Sequence, residues 1–307
     1  MRCPRIRWMF FLAVLIVITV SVGMSGVTYL QRLGREAKLR KSCAAHLRDI
    51  WWALGGPRSE PSEPFPVGVV PAEGIPPEKR LSWVTLRYPY FDESQNIHFL
   101  FDEMEPWDSK VNRNPKIRSM ADGDDPGKEI VYSLPDLVTF YLLLCPESPI
   151  YPKFDGSNEK KKTPAEIHYI GIAGVGRDSP SLPEKHPRAG VFGYDRQTRM
   201  ADITDGAANT MMMSETSLAI GPWIAGGPAT VRGLDPDRTP YVGKGRQFGG
   251  NHRGGAMVLF VDGSVRFVRD SVAPSAFEAL STIAGGAHDT STTEWGELLI
   301  PAWTESR

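Results

Sequence analysis

Cysteine is scarce in this sequence: three residues, Cys3, Cys43 and Cys145, among 307. That excludes a disulfide-dense scaffold and a four-cysteine zinc site. An excess of either charge is also missing, since 35 Lys+Arg stand against 36 Asp+Glu for a formal net charge of −1. A general nucleic-acid binder needs a basic surface, so no nucleic-acid partner is expected. No period of roughly 20–50 residues recurs, which excludes a solenoid or propeller. There is no G-x-S-x-G elbow and no H-E-x-x-H helix. The six histidines (His46, His98, His168, His186, His252 and His288) show no ligand spacing. Gly171 to Gly176 reads G-x-x-G-x-G, and Pro180 and Pro183 stand where a dinucleotide-binding helix would begin. Gly243-Lys244-Gly245-Arg246 lacks the G-K-[ST] of a phosphate loop. The expectation is no enzyme and no cofactor.

What is present is ordinary for a globular chain: 41% hydrophobic and 23% charged residues, with 30 Gly and 26 Pro. At ~100–200 residues per domain, the length suits one large or two small domains. Trp8 to Leu30 carries no charge, and Arg2, Arg5 and Arg7 precede it. A helix of that length reaches across a hydrocarbon core of ~30 Å, so the reading is a transmembrane anchor over 8–30 behind a short cytoplasmic segment, 1–7. A cleaved signal peptide is the alternative, with Ser21-Val22-Gly23 or Met24-Ser25-Gly26 as the small residues. Lys and Arg alone favour a cytoplasmic C-terminal side, because Arg32, Arg35, Lys38, Arg40 and Lys41 follow the span.

Leu33, Ala37, Arg40, Ala44, Leu47, Trp51 and Leu54 recur at steps of four and three, one face of a helix. The pattern predicts an amphipathic continuation over 31–56, stopped by Gly55-Gly56-Pro57. This face docks on the chain's own domain or packs against a partner helix. Seven prolines between 57 and 77 predict an extended wrapping segment over 57–80. A β-rich domain is expected over 81–287 and a patternless tail over 288–307. Within the domain, 81–91 suits a short helix or strand, 109–128 a loop, and Leu137–Leu144 a buried strand. The second half alternates short apolar runs with turn signals, as an antiparallel sheet does. Ile167–Val175 and Thr210–Glu215 are two such runs. Met257 to Val261 and Ser264 to Val268 flank Asp262-Gly263, the signature of a β-hairpin. Pro274–Ala284 predicts a short helix.

Three constellations invite chemistry. His252 and Asp262-Gly263 form H-x(9)-D-G, either an acid–base pair or, more simply, loop bracing and turn chemistry. Asp202, Asp205 and Asn209 place short oxygen side chains around Gly206, a Ca²⁺ loop without the closing Glu of an EF-hand, or an Asx-type turn. Cys43 and Cys145 form one disulfide if both lie outside the cytoplasm. Closing a loop of ~100 residues stabilises by roughly 4 kcal/mol in the entropic picture. Two buried free thiols are the other reading.

Several ordered blocks together resemble a known family. They are Arg35-Glu36-Ala37 with Cys43, Leu47, Ile50 and Ala53-Leu54; Leu81-Ser82-Trp83-Val84; Pro89-Tyr90; Glu105-Pro106-Trp107-Asp108-Ser109; and Cys145-Pro146. Further on come Ile203-Thr204-Asp205-Gly206, Asn209-Thr210, Glu215, Pro222-Trp223, His252, Asp262-Gly263-Ser264-Val265 and Phe267. This order is similar to the large bacterial, planctomycete-type family of pseudopilin-like proteins of unknown function that carries a His-nine-Asp-Gly motif. The resemblance spans about 35–287. It implies an α+β fold, a long N-terminal transmembrane, pilin-like helix followed by a mostly antiparallel β-sheet domain, with the N-terminus inside and the domain outside. One departure is plain: Arg7 to Leu12 offers neither the Gly before nor the Glu after a prepilin cut, so a permanent anchor is expected. The function implied is a single-pass structural or interaction protein in the cytoplasmic membrane, linked to secretion or envelope organisation. Its partners would be the lipid bilayer and other pseudopilin-like or envelope proteins. The alternatives are an extracytoplasmic glycan- or Ca²⁺-binding module, and a hydrolase using His252 and Asp262.

Overall fold

A computed structural model describes residues 4–56, 63–91, 97–119, 129–131, 141–151, 166–285 and 299–301. The first element, α1, runs from Pro4 to Ala53, about 75 Å at ~1.5 Å per residue. Its side chains are described from Gly26 onward. The glycine stop operates as expected: Gly55 and Gly56 adopt φ of 112° and 50°, and the Gly56 N–H donates to the Trp51 carbonyl.

Two expectations about fold class need correction. Among the described residues no helix is long and apolar enough to cross a membrane. The described stretch of α1 carries Arg32, Arg35, Glu36, Lys38, Arg40 and Lys41 within 32–41, too much charge for a hydrocarbon core. Most of the expected span, 8–25, lies outside the residues whose side chains are described. The second correction concerns the sheet, which is mixed.

The remaining elements, in chain order, are a short helix α2 (Trp83–Arg87), strands β1 (Ile97–Leu100), β2 (Lys116–Ser119), β3 (Glu129–Val131), β4 (Tyr169–Val175), β5 (Met211–Glu215), β6 (Val231–Leu234), β7 (Gly255–Phe260) and β8 (Val265–Arg269), helix α3 (Pro274–Leu280) and strand β9 (Leu299–Pro301). The first three strands make a small antiparallel sheet in the order β1-β2-β3. The main sheet has six strands in the order β6-β4-β5-β7-β8-β9. All its pairs are antiparallel except β4 with β6. The parallel pair arises because the chain leaves β5, crosses the end of β4 through 216–230, and returns on β4's far side. No local turn signal announces such a crossover.

Both faces of the main sheet are covered, so β7 reads Ala-Met-Val-Leu-Phe without polar alternation. Met257 and Leu259 point into one core with Leu47, Ile50 and Tyr169. Ala256, Val258 and Phe260 point into the other, beneath Phe277 and Leu280 of α3. The C-terminal half of α1 lies on the first face: Cys43, Ala44, Leu47, Ile50 and Leu54 are at most 1% exposed. The N-terminal half of the expected face does not dock, since Leu33 is 43% exposed and Ala37 is also exposed.

Two local readings change as well. Residues 116–119, expected as loop, form β2. Tyr141–Leu143, expected as strand, is a 3-10 turn, and 132–140 lie outside the described residues. The proline-rich segment from Phe65 to Val70 is extended and buried, donating from the Phe65 and Gly68 N–H groups to the carbonyls of Thr198 and Gly193. Two buried arginines brace neighbouring loops through backbone carbonyls. Arg196 donates to the carbonyls of Ser179, Leu182, Ala173, Gly190 and Phe192. Arg232 donates to those of Pro228, Leu218 and Ala219. Burial lowers both guanidinium pKa values to about 10.

Candidate functional site

Four side chains from four distant segments converge under α1. Cys43 comes from the buried face of that helix. Cys145 follows the 3-10 turn at Tyr141–Leu143. Glu215 is the last residue of β5, and His252 sits in the loop ahead of β7. One donor atom of each lies within 4.8 Å of all the others. All four residues are buried, His252 being the most exposed at 4%.

The local folding that positions each is specific. Cys43 is carried one helical turn ahead of Leu47 on the docked stripe. The Cys145 N–H donates to His168 Nδ1 at 3.3 Å, which fixes the turn against the start of β4. Glu215 is held in register because its carbonyl accepts the Gly249 N–H at 2.7 Å. Gly250, with φ of 95°, lets the next loop turn so tightly that a Cβ there would lie 2.1 Å from Ser217 Oγ. The turn delivers His252 to the cluster.

Distances define the chemistry. His252 Nε2 is 3.1 Å from Cys43 Sγ, 3.5 Å from Cys145 Sγ and 3.5 Å from Glu215 Oε2. His252 Nδ1 is 2.5 Å from Glu147 Oε2, and the two form an ion pair when the imidazole is charged. The two sulfurs are 3.1 Å apart, well beyond an S–S bond of ~2.05 Å, and both cysteines are free thiols. Tyr169 donates its hydroxyl to Cys43 Sγ at 3.1 Å. Neither carboxylate oxygen of Glu215 accepts a hydrogen bond of ordinary geometry.

The electrostatics follow from burial. Desolvation pushes the Cys145 thiol well above its ordinary range and raises the Glu215 carboxyl. For His252 burial works toward a lower value, but Glu215, Cys145 and Glu147 outweigh it and the imidazole rises to about 11. Glu147 moves down, chiefly through its hydrogen bond to His252. Burial alone brings the neighbouring His168 down to about 4, keeping it a neutral acceptor.

The other singled-out residues sit elsewhere. Asp262 and Gly263 occupy the hairpin turn at the far end of β7 from His252, about 20 Å away at ~3.3 Å per strand residue. The Asp262 carboxylate accepts the Ser264 N–H at 2.9 Å, an Asx turn, and Gly263 takes φ of 81°. Gly263 N–H donates to the Phe260 carbonyl, and Phe260 N–H to the Ser264 carbonyl. The connection is thus a three-residue loop with glycine in the left-handed position. A Cβ on Gly263 would lie 2.8 Å from the Trp51 ring, and Trp51 Nε1 donates to the Val261 carbonyl at 3.0 Å. His252 and Asp262 therefore do not meet as an acid–base pair. His252 meets α1 at Cys43, and the hairpin turn meets it at Trp51, through Gly263 and the Val261 carbonyl.

Asp202, Asp205 and Asn209 are engaged locally. Asp202 Oδ2 accepts the Arg199 N–H, Asp205 Oδ2 accepts the Gly285 N–H, and Asn209 Nδ2 donates to the Asp205 carbonyl. Sequence reasoning paired Cys43 with Cys145 and named His252 apart from them, missing that His252 joins the two. Glu215 appeared only as a block residue, and Glu147 and Tyr169 not at all. The available signal was chemical: a glutamate ending an apolar β5 run, and a Cys-Pro-Glu step.

A family model described as "Protein of unknown function (DUF1559)" matches residues 33–232 and 219–275. No curated protein and no solved structure matches the chain.

Proposed function

Because the chain belongs to the DUF1559 family, a family of unknown function, we propose its role from its architecture. It is a pseudopilin-like structural or interaction protein that works outside the cytoplasm, at the cytoplasmic membrane, and not an enzyme. One observation carries this reading. The C-terminal half of α1 is built into the sheet domain, whereas its described turns before Arg40 project free of it, with Val27, Tyr29, Leu30 and Leu33 43–67% exposed. A long helix half embedded in a β head and half projecting is the layout of a protein displayed and assembled through its helix. Exposed apolar residues on the projecting half suit a lipid surface or a neighbouring pseudopilin-like or envelope protein.

Membrane fractionation with protease treatment of spheroplasts tests the reading, alongside the intact mass of the extracted protein. The expected outcome is recovery with membranes and digestion of the domain from outside. A domain protected in intact spheroplasts overturns the proposed compartment. A photo-crosslinker at Leu33 tests the interaction arm: adducts with lipid or an envelope protein are expected, and their absence in cells counts against it.

A further inference from the structure

We propose that Cys43, Cys145, His252 and Glu215 form a divalent transition-metal site, of the kind that takes Zn²⁺. The set is two sulfurs, one imidazole nitrogen and one carboxylate. Zinc, a borderline-soft ion, is held by these donor types in four-coordinate sites. Their donor atoms lie within 4.8 Å of one another, and all four residues are buried.

Three further observations point to an ion rather than to packing. First, neither oxygen of the wholly buried Glu215 accepts a hydrogen bond of ordinary geometry, and His252 Nε2 stands 3.5 Å from Oε2. A buried carboxylate needs a close donor or a cation, and an ion between Glu215, the sulfurs and Nε2 meets that need at bonding distance, where the imidazole alone does not. Second, His252 is oriented as metal-bound histidines are. A carboxylate, Glu147, holds its Nδ1 at 2.5 Å, which turns Nε2 toward both sulfurs. Third, the Tyr169 hydroxyl donates to Cys43 Sγ at 3.1 Å, a contact that stabilises a thiolate ligand.

The charges also suit a divalent ion. Two thiolates and a carboxylate make three buried negative charges around a neutral imidazole, and a divalent cation reduces that to one. Arg40, partly buried, lies near Glu147 and Glu215 and offsets part of the charge that remains, that of Glu147 included. Binding displaces two thiol protons and the proton on His252 Nε2. The geometry asks for a modest adjustment: Zn–S bonds of ~2.3 Å in a tetrahedron set the sulfurs roughly 3.8 Å apart, against 3.1 Å here. Cys43 is on a helix and Cys145 on a turn, so the two can part without breaking a strand pair.

The test uses the full chain carrying Cys3→Ser, purified with reductant, so that no third thiol contributes. Zn²⁺ alone and Co²⁺ alone are the probes. We expect one equivalent per chain. The cobalt form should show thiolate-to-metal charge transfer and the strong visible bands of a tetrahedral ion, and both thiols should resist alkylation when loaded. Glu147→Gln, which alters the partner of Nδ1 and removes no ligand atom, should weaken metal affinity 10–100-fold with an unchanged circular dichroism spectrum. Cys43→Ser and Glu215→Gln should lose the charge transfer or the stoichiometry. Should those variants fail to fold, the cobalt spectrum of the otherwise unaltered chain decides the matter. Sub-stoichiometric binding, or an octahedral spectrum without thiolate character, overturns the proposal. So does a Cys43–Cys145 disulfide in protein isolated from its native envelope, because it removes both sulfur ligands.

Discussion

At the turn end of the β7–β8 hairpin, α1 is held by shape. The Trp51 ring lies over Gly263, where there is no side chain to obstruct it, and one indole N–H reaches the Val261 carbonyl. At the opposite end of β7 the same helix is held by polar groups: Cys43 meets His252, which in turn meets Glu147 and Glu215. The first contact gains apolar burial and one hydrogen bond and asks little in return. The second places ionisable groups where water would solvate them better, and it is favourable only while every member keeps its partner. A fold under selection for stability alone has no need of the second arrangement. Its presence beside the first indicates that the polar end serves something other than docking.

Breaking the polar end should have the largest effect. His252→Ala leaves the buried Glu215 without its cationic neighbour and Glu147 without its partner. Losing one member of a buried charged set costs about 3–5 kcal/mol, so the urea midpoint should fall steeply. A loss below about 1 kcal/mol would mean that the cluster is electrostatically idle. Metal sharpens the comparison: at 100 times Kd a specific ion adds roughly 2.7 kcal/mol to the folded state. Zn²⁺ should raise the melting temperature of the parent chain and of a Gly263 variant, and leave His252→Ala unmoved.

Gly263→Val should come next, and its cost is steric. A left-handed backbone with a Cβ costs roughly 1–2 kcal/mol, and φ at this position is 81°. Crowding against the indole adds a similar amount, for about 2–4 kcal/mol in all. Trp51→Ala should relieve the crowding, so a double-mutant cycle should give a coupling of about 1 kcal/mol. A coupling of zero would show that the ring moves aside and that shape does not hold this end.

The two ends also differ in how far the sequence revealed them. The hairpin was legible because its signals are local: Asp262-Gly263 between apolar runs dictates a turn, and the Asx bond and positive φ lie within three residues. The stop of α1 at Gly55-Gly56 and the docked stripe from Ala44 to Leu54 were legible for the same reason. The polar cluster was not. Cys43 and His252 are 209 residues apart in the chain, and His252 and Glu147 are 105 apart. No spacing rule spans such gaps, since metal-ligand signatures describe ligands that share a turn or a helix. The parallel pairing of β4 with β6 escaped for a related reason, because it depends on where the 216–230 crossover passes. The 116–119 strand was hidden by its polar composition, since strand formation depends on context more than on intrinsic propensity.

An exposed ion pair supplies the control for the buried one and the smallest effect. Arg188 grips Asp178 with two parallel bonds of 2.8 and 2.7 Å, and also donates to the Val175 carbonyl at the end of β4. Both side chains are largely in water, 41% and 59% exposed, so solvation screens this pair as it does not screen His252. The hydrogen bonds from Arg188 lower the Asp178 carboxyl from 3.8 to about 2. A depressed carboxylate contributes stability that is fully present above its unfolded pKa and is lost as pH falls through the folded value. Asp178→Asn should therefore unfold at a slightly lower urea concentration than the parent at pH 7. The difference should begin to shrink below about pH 4 and vanish near pH 2. It should also largely disappear in 1 M salt, where the screening length is about 3 Å. A difference that survives both acid and salt would assign Asp178 a role in shaping the 176–179 turn instead, and exposed and buried pairs would then differ in kind as well as in degree.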